Sequence, residues 1–107
     1  MEKITLHELQ KLINKKRKER GFVMEPIKIF TLLNEEIGEI AAELKKDWSI
    51  NYDNLDKDKL AEEIADVQVC LIALANQYDI DIDSAVIDKF FEKDSKRMWK
   101  SAIKKNT

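Results

Sequence analysis

One cysteine, one proline, one histidine and two glycines are all that 107 residues contain of the types that staple, kink or tightly turn a chain. The lone Cys70 excludes an intramolecular disulfide. So few glycines and prolines leave little from which to build hairpin turns, which argues against a strand-rich fold. No stretch approaches the roughly 20 apolar residues that span a bilayer, and the N-terminus lacks the apolar core of a signal peptide. Neither sign of charge dominates: 19 basic and 21 acidic residues leave a net charge of −2, which sets up no field that would draw nucleic acid. These absences lead us to expect one domain over residues 1–107, cytoplasmic, with neither membrane nor nucleic acid as a partner.

What is present is mostly Lys, Glu, Leu, Ile and Ala, and the 44% hydrophobic content is enough for one modest core. We expect an all-α, four-helix-bundle-like protomer. A first helix starts at Thr5, because Thr5-Leu6-His7-Glu8 has the form of a capping box, and Gly21 ends it. Leu6, Leu9, Leu12 and Ile13 form its core face before Lys15, Lys16, Arg17, Lys18 and Arg20 take over. Pro26 opens a second helix, whose apolar series Phe30, Leu33, Ile37, Ile40 and Leu44 runs to about Asp47. After a loop from Trp48 to Asp56, a central third helix carries the clearest period, Leu60, Ile64, Val67, Leu71, Leu74 and Tyr78. Asp83 or Ser84 is expected to cap a fourth helix through Val86, Ile87, Phe90, Phe91, Met98 and Ile103, with a frayed tail from Lys104 to Thr107.

The second and third helices each carry a pair of acids three residues apart. Glu36 and Glu39 are separated by about 60° around the axis and aim at one place. Glu63 and Asp66 repeat this on the next helix, in one row with Cys70 and Ala73. If the two helices pack antiparallel, four carboxylates converge on one pocket, as in metal sites built between bundle helices. Like charges at that range oppose one another's ionisation, and a divalent cation removes the conflict. A set made only of carboxylate oxygens selects a hard ion, Mg²⁺ first and Mn²⁺ as a substitute.

These residues resemble the signature of the MazG-like, all-α nucleoside triphosphate pyrophosphohydrolases, EExxE on one helix and ExxD on the next. Here it reads Glu35-Glu36-Ile37-Gly38-Glu39 and Glu63-Ile64-Ala65-Asp66, and the resemblance runs from about Ile27 to Arg97. It implies that Glu36, Glu39, Glu63 and Asp66 ligate the metal and that Glu35 stands near the attacking water. It implies hydrolysis of a nucleoside triphosphate to monophosphate and pyrophosphate in nucleotide-pool house-cleaning, with Glu35 or Glu39 orienting or deprotonating water. It also implies completion of the protomer as a homodimer or homotetramer, with substrate held partly by the neighbouring chain. The family's C-terminal basic residues correspond to Lys89, Lys93, Lys96 and Arg97, with Asp94 where many relatives have Asn. Arg17, Lys18 and Arg20 compete with them for the phosphates, and Trp48 is a candidate for base contact.

Two other readings stand beside this one: a non-catalytic dimeric helical module that uses its basic first helix to hold an acidic partner, and an activity like that of phosphoribosyl-ATP pyrophosphohydrolases. His7, in the first turn, is read as a surface or capping residue, and Cys70 as a small buried hydrophobe. Phe22, Trp48 and Trp99 are read first as core or interface aromatics.

Overall fold

The structure, a computed structural model, describes residues 3–99. They form α1 (Leu6–Glu19), α2 (Pro26–Trp48), α3 (Lys57–Asn76) and a short α4 (Ile82–Val86) that runs on as a π-helical stretch, Ile87–Lys93. There is no strand among the described residues. The helix ends follow local chemistry. Thr5 Oγ1 accepts the Glu8 N–H at 3.1 Å, and the Asp56 carboxylate accepts the N–H groups of Asp58 and Lys59. Each such cap contributes about 1 kcal/mol by satisfying amides that the helix leaves free. Pro26 takes the first turn of α2, where an N–H would have no partner. Gly21, at φ +73°, turns the chain out of α1 in the left-handed region that costs glycine nothing.

Side-chain contacts give the registers. The Glu43 carboxylate accepts the Asp56 N–H at 3.4 Å near the loop, while Glu39 meets Glu63 farther along, so α2 and α3 run antiparallel. The end of α3 is tied to the start of α1 by Gln10. Its Nε2 donates to Asn76 Oδ1 (3.1 Å) and to the Ile80 carbonyl (2.9 Å), and its Oε1 accepts the Ile82 N–H (2.9 Å). Asn76 Nδ2 returns a bond to the Gln10 carbonyl at 3.0 Å. This buried amide network holds the α3–α4 corner against α1 without an unpaired polar atom on Gln10.

The all-α architecture is as expected, but two details are not. The stripe read as the core of α3 faces largely outward: Ile64, Leu71 and Tyr78 are exposed, as are Phe30, Ile37 and Leu44 on α2. The face turned inward carries Glu63, Ile72 and Ala73 on α3 and Ile29, Leu33 and Glu43 on α2. Helical periodicity finds an apolar stripe but does not say whether the chain itself covers it. The second correction concerns the fourth helix. Its cap is Asp81, whose carboxylate accepts both the N–H (3.3 Å) and the hydroxyl (2.6 Å) of Ser84. Beyond Lys93 the backbone is no longer helical; Ile103 and the tail from Lys104 lie outside the described residues.

Four apolar side chains, Ile29, Leu33, Ile72 and Ala73, make up the buried core. The radius of gyration is 17.6 Å, against about 13 Å for a compact chain of this length. One chain is thus an open arrangement of packed helices with much of its apolar surface uncovered.

Candidate functional site

The acid pairs converge where the antiparallel register brings the middle of α2 against the first half of α3. Glu36, Glu39 and Glu63 each offer an oxygen within 4.8 Å of the others. Asp66, exposed and one turn beyond Glu63, lies outside this triad but close enough for its charge to act on Glu36. Glu35 is exposed beside it.

Glu63 is the anchor of the group. Its side chain is only 4% exposed, and Lys59 holds one oxygen, Oε1, at 3.0 Å. The other, Oε2, is buried and has no hydrogen-bond donor. A native chain rarely leaves a buried carboxylate oxygen without a partner, because desolvation is then uncompensated. The ionisation preferences tell the same story. The Lys59 ammonium, and then the contact with Glu39, hold the Glu63 carboxyl below the usual range. Glu39 is pushed up, first by its hydrogen-bonding contact with Glu63 and then by the charges of Glu63 and Glu36. Glu36 is pushed up by burial and then by Asp66, Glu63 and Glu35. One ionised carboxylate facing two reluctant ones is a site short of positive charge. The donor set, all carboxylate oxygen, fits a hard divalent cation, and the orphaned Glu63 Oε2 faces no competing donor.

The seam continues toward the loop as a cleft of about 240 Å³ lined by Glu39, Ala42, Glu43, Lys46, Lys59 and Glu63. Glu43, 4% exposed, accepts from Lys46 Nζ at 3.3 Å as well as from the Asp56 amide. Glu43 and Lys59 were not singled out in the sequence as site residues. The signal for Lys59 was its position four residues before Glu63, the spacing of a helical ion pair.

The basic candidates have other places. Arg17 is buried: its guanidinium donates to the Val23 carbonyl at 3.0 Å, approaches Met24 Sδ and lies 5.3 Å from the centre of the Phe22 ring. These contacts brace the turn between α1 and α2. Lys89 is paired with Asp94, which that ammonium holds below the usual carboxylate range, and Lys93 is paired with Asp88 at 2.9 Å. Arg97 lies with Phe90, Phe91, Asp94, Ser95 and Trp99 around a separate depression. Lys89 and Lys93 lie on the π-helical stretch, which packs on α4, itself packed on α1, and none of the three basic residues lines the acidic seam. Trp48 is exposed at the end of α2, about 13 Å along the axis from Glu39. His7 hydrogen-bonds Asp81 at 2.9 Å and thereby tethers α1 to α4. Cys70 is half-buried, its thiol pushed up chiefly by burial.

The helix order and the acidic seam place the chain in a recognisable class. Residues 24–100 match the MazG nucleotide pyrophosphohydrolase domain, and the chain belongs to that family. It is accordingly an enzyme of the nucleotide pyrophosphohydrolase class, with the helical fold of its relatives. Solved structures similar to it include two whose whole length the match covers. YPJD from Bacillus subtilis, a candidate pyrophosphatase, is 28% identical over 92% of this chain and all of that one, with a TM-score of 0.71. The Bacillus-conserved MazG protein, a nucleotide pyrophosphohydrolase, is 28% identical over 91% of this chain and all of that one, with a TM-score of 0.68. No curated protein matches the chain closely enough to be counted a relative. No described helix is long and apolar enough to cross a membrane.

Proposed function

We propose that this chain is a Mg²⁺-dependent hydrolase that cleaves nucleoside triphosphates to the monophosphate and pyrophosphate, as a single cytoplasmic domain working in a homodimer or homotetramer. The observation that carries the proposal is the meeting of three carboxylates from two helices around a buried glutamate oxygen that has no donor. Glu36, Glu39 and Glu63 would hold the ion, with Asp66 one turn on as the fourth ligand; Mn²⁺ would substitute. The ion supplies charge neutralisation for the polyphosphate and a water of lowered pKa.

The chain's own residues do the rest. Glu63, gripped by Lys59, stays ionised and fixes the position of the site. Glu39, the more exposed member of the triad, or Glu35 beside it, orients the attacking water and takes its proton. Water adds to the α-phosphorus, the bond from that phosphorus to the bridging oxygen breaks, and pyrophosphate leaves. Arg97, Lys93 and Lys89 are the candidates to hold the phosphates, and Trp48 the base, from a second copy that also covers the outward apolar stripe of α2 and α3. Clearance of unwanted nucleotides is the role we assign.

The test is pyrophosphate release from a panel of ordinary and modified nucleoside triphosphates and phosphoribosyl-ATP, with and without Mg²⁺, beside Glu39→Ala. Metal-dependent release by the parent alone is the expected result and identifies the substrate. Release without metal, or equal release by the variant, would overturn the assignment.

A further inference from the structure

The acidic seam contains two carboxylates that are almost wholly buried, and each has a lysine at its solvent edge. Glu43 has Lys46 at 3.3 Å, and Glu63 has Lys59 at 3.0 Å. The two pairs differ in what else the carboxylate meets. Glu43 accepts a backbone amide as well, from Asp56, and belongs to the hinge between the helices. Glu63 Oε2 meets no donor, and the carboxylate's remaining neighbours in the triad are carboxyl groups, of which Glu39, in hydrogen-bonding contact with it, could donate only when protonated. Lys59 is therefore the only described cation placed directly on the triad. It reaches in from a half-exposed position, 52% accessible, where its stem can swing outward without disturbing the helix. Its second contact, 3.9 Å to the exposed Glu62, offers a landing place on the solvent side.

A single ammonium and a divalent ion compete for the same field. The ammonium offsets part of the repulsion among Glu36, Glu39 and Glu63, which lets the seam close in the metal-free chain. The same positive charge then opposes an incoming ion of like sign at close range. We propose that Lys59 is the resident counter-ion of the acidic triad and sets the divalent-ion concentration at which the site fills. The inference rests on the reading of the triad as a metal site. It assigns Lys59 a positioning and threshold role, with no contact to substrate.

The decisive measurement is calorimetric titration of Mn²⁺ and Mg²⁺ into the parent, Lys59→Met and Lys59→Arg, with melting temperatures of each in chelator. Removal of the charge in Lys59→Met is expected to lower the metal-free melting temperature and to tighten Mn²⁺ binding by about tenfold, as expected for deletion of a like charge near the ion. Lys59→Arg, which keeps the charge, should bind close to the parent's affinity. Lys59→Gln runs in parallel, so that a poorly folded methionine variant does not decide the matter. If the parent binds Mn²⁺ and the neutral variants bind it equally or more weakly, Lys59 only braces Glu63 and the inference fails alone. If the parent binds no divalent ion, the metal reading itself fails and takes the inference with it.

Discussion

The two faces of the α2–α3 pair invert the usual arrangement. The inner face buries Glu43 and Glu63 beside a small apolar core, with Glu36 half-buried and Glu39 exposed at its edge, while the outer face presents Phe30, Ile37, Leu44, Ile64, Leu71 and Tyr78. Buried charge is costly and exposed apolar surface is wasted, so each face is incomplete in a different way. The inner one lacks positive charge and the outer one lacks a cover. The proposed ion would answer the first deficit and the proposed second copy the second.

The sharpest way to break that comparison is through Glu63. Glu63→Gln keeps the shape but removes the ionised anchor, and turnover should fall by on the order of 100-fold or more, measured as pyrophosphate release under saturating Mg²⁺. An unchanged rate would make the inner face structural only. For the outer face, Leu71→Glu should shift the assembly to monomer in sedimentation at micromolar concentration while helicity by circular dichroism stays intact. A variant that remains assembled would move the interface elsewhere.

Metal should connect the two faces to stability. At a divalent concentration 100 times its dissociation constant the chain should gain about 2.7 kcal/mol, read as a rise of several degrees in melting temperature that chelator reverses. Arg17→Ala is expected to cost about 1.5–3 kcal/mol through loss of the charged hydrogen bond to Val23, with kcat per folded molecule unchanged. A selective loss of kcat would return Arg17 to the phosphates. The smallest effect concerns Asp81. The hydrogen bond from the Ser84 hydroxyl, and then the one with His7, hold its carboxyl below the ordinary 3.8. The folded chain thus favours the ionised form. The resulting stability is fully present above pH 3.8 and is lost as pH falls through the depressed value. Asp81→Asn should flatten the acid limb of the denaturation profile over that window and shift the midpoint only slightly.

Much of this was legible in the residues. Thr5, Pro26 and Asp56 marked their helix ends because capping is local chemistry between near neighbours. The pairs Glu36/Glu39 and Glu63/Asp66 were legible as candidates because i, i+3 spacing is a rigid property of the helix, and the fold brings Glu36, Glu39 and Glu63 together with Asp66 one turn on. Three things were not legible. Leu71 and Ile64 show the period of a core stripe whether their cover is the same chain or another. Arg17 sat in a basic run that reads as solvated, and only the turn through Phe22 and Val23 buries it. The switch of the last helix to π geometry at Ile87 has no sequence signal, and no buried contact explains it, since no residue from Ile87 to Lys93 is buried and Phe90 and Phe91 meet edge to face in the open.

Gln10 has a consequence for mutational tolerance. Its amide donates twice and accepts once across sequence separations of 66, 70 and 72 residues, so this side chain, with the His7–Asp81 contact beside it, sets the aim of α4. Glutamate at that position could accept but not donate, methionine could do neither, and asparagine would fall short by a methylene. In a saturation library scored for correct assembly, position 10 should return its parent residue almost alone, although it lies on the first helix and touches nothing that reacts.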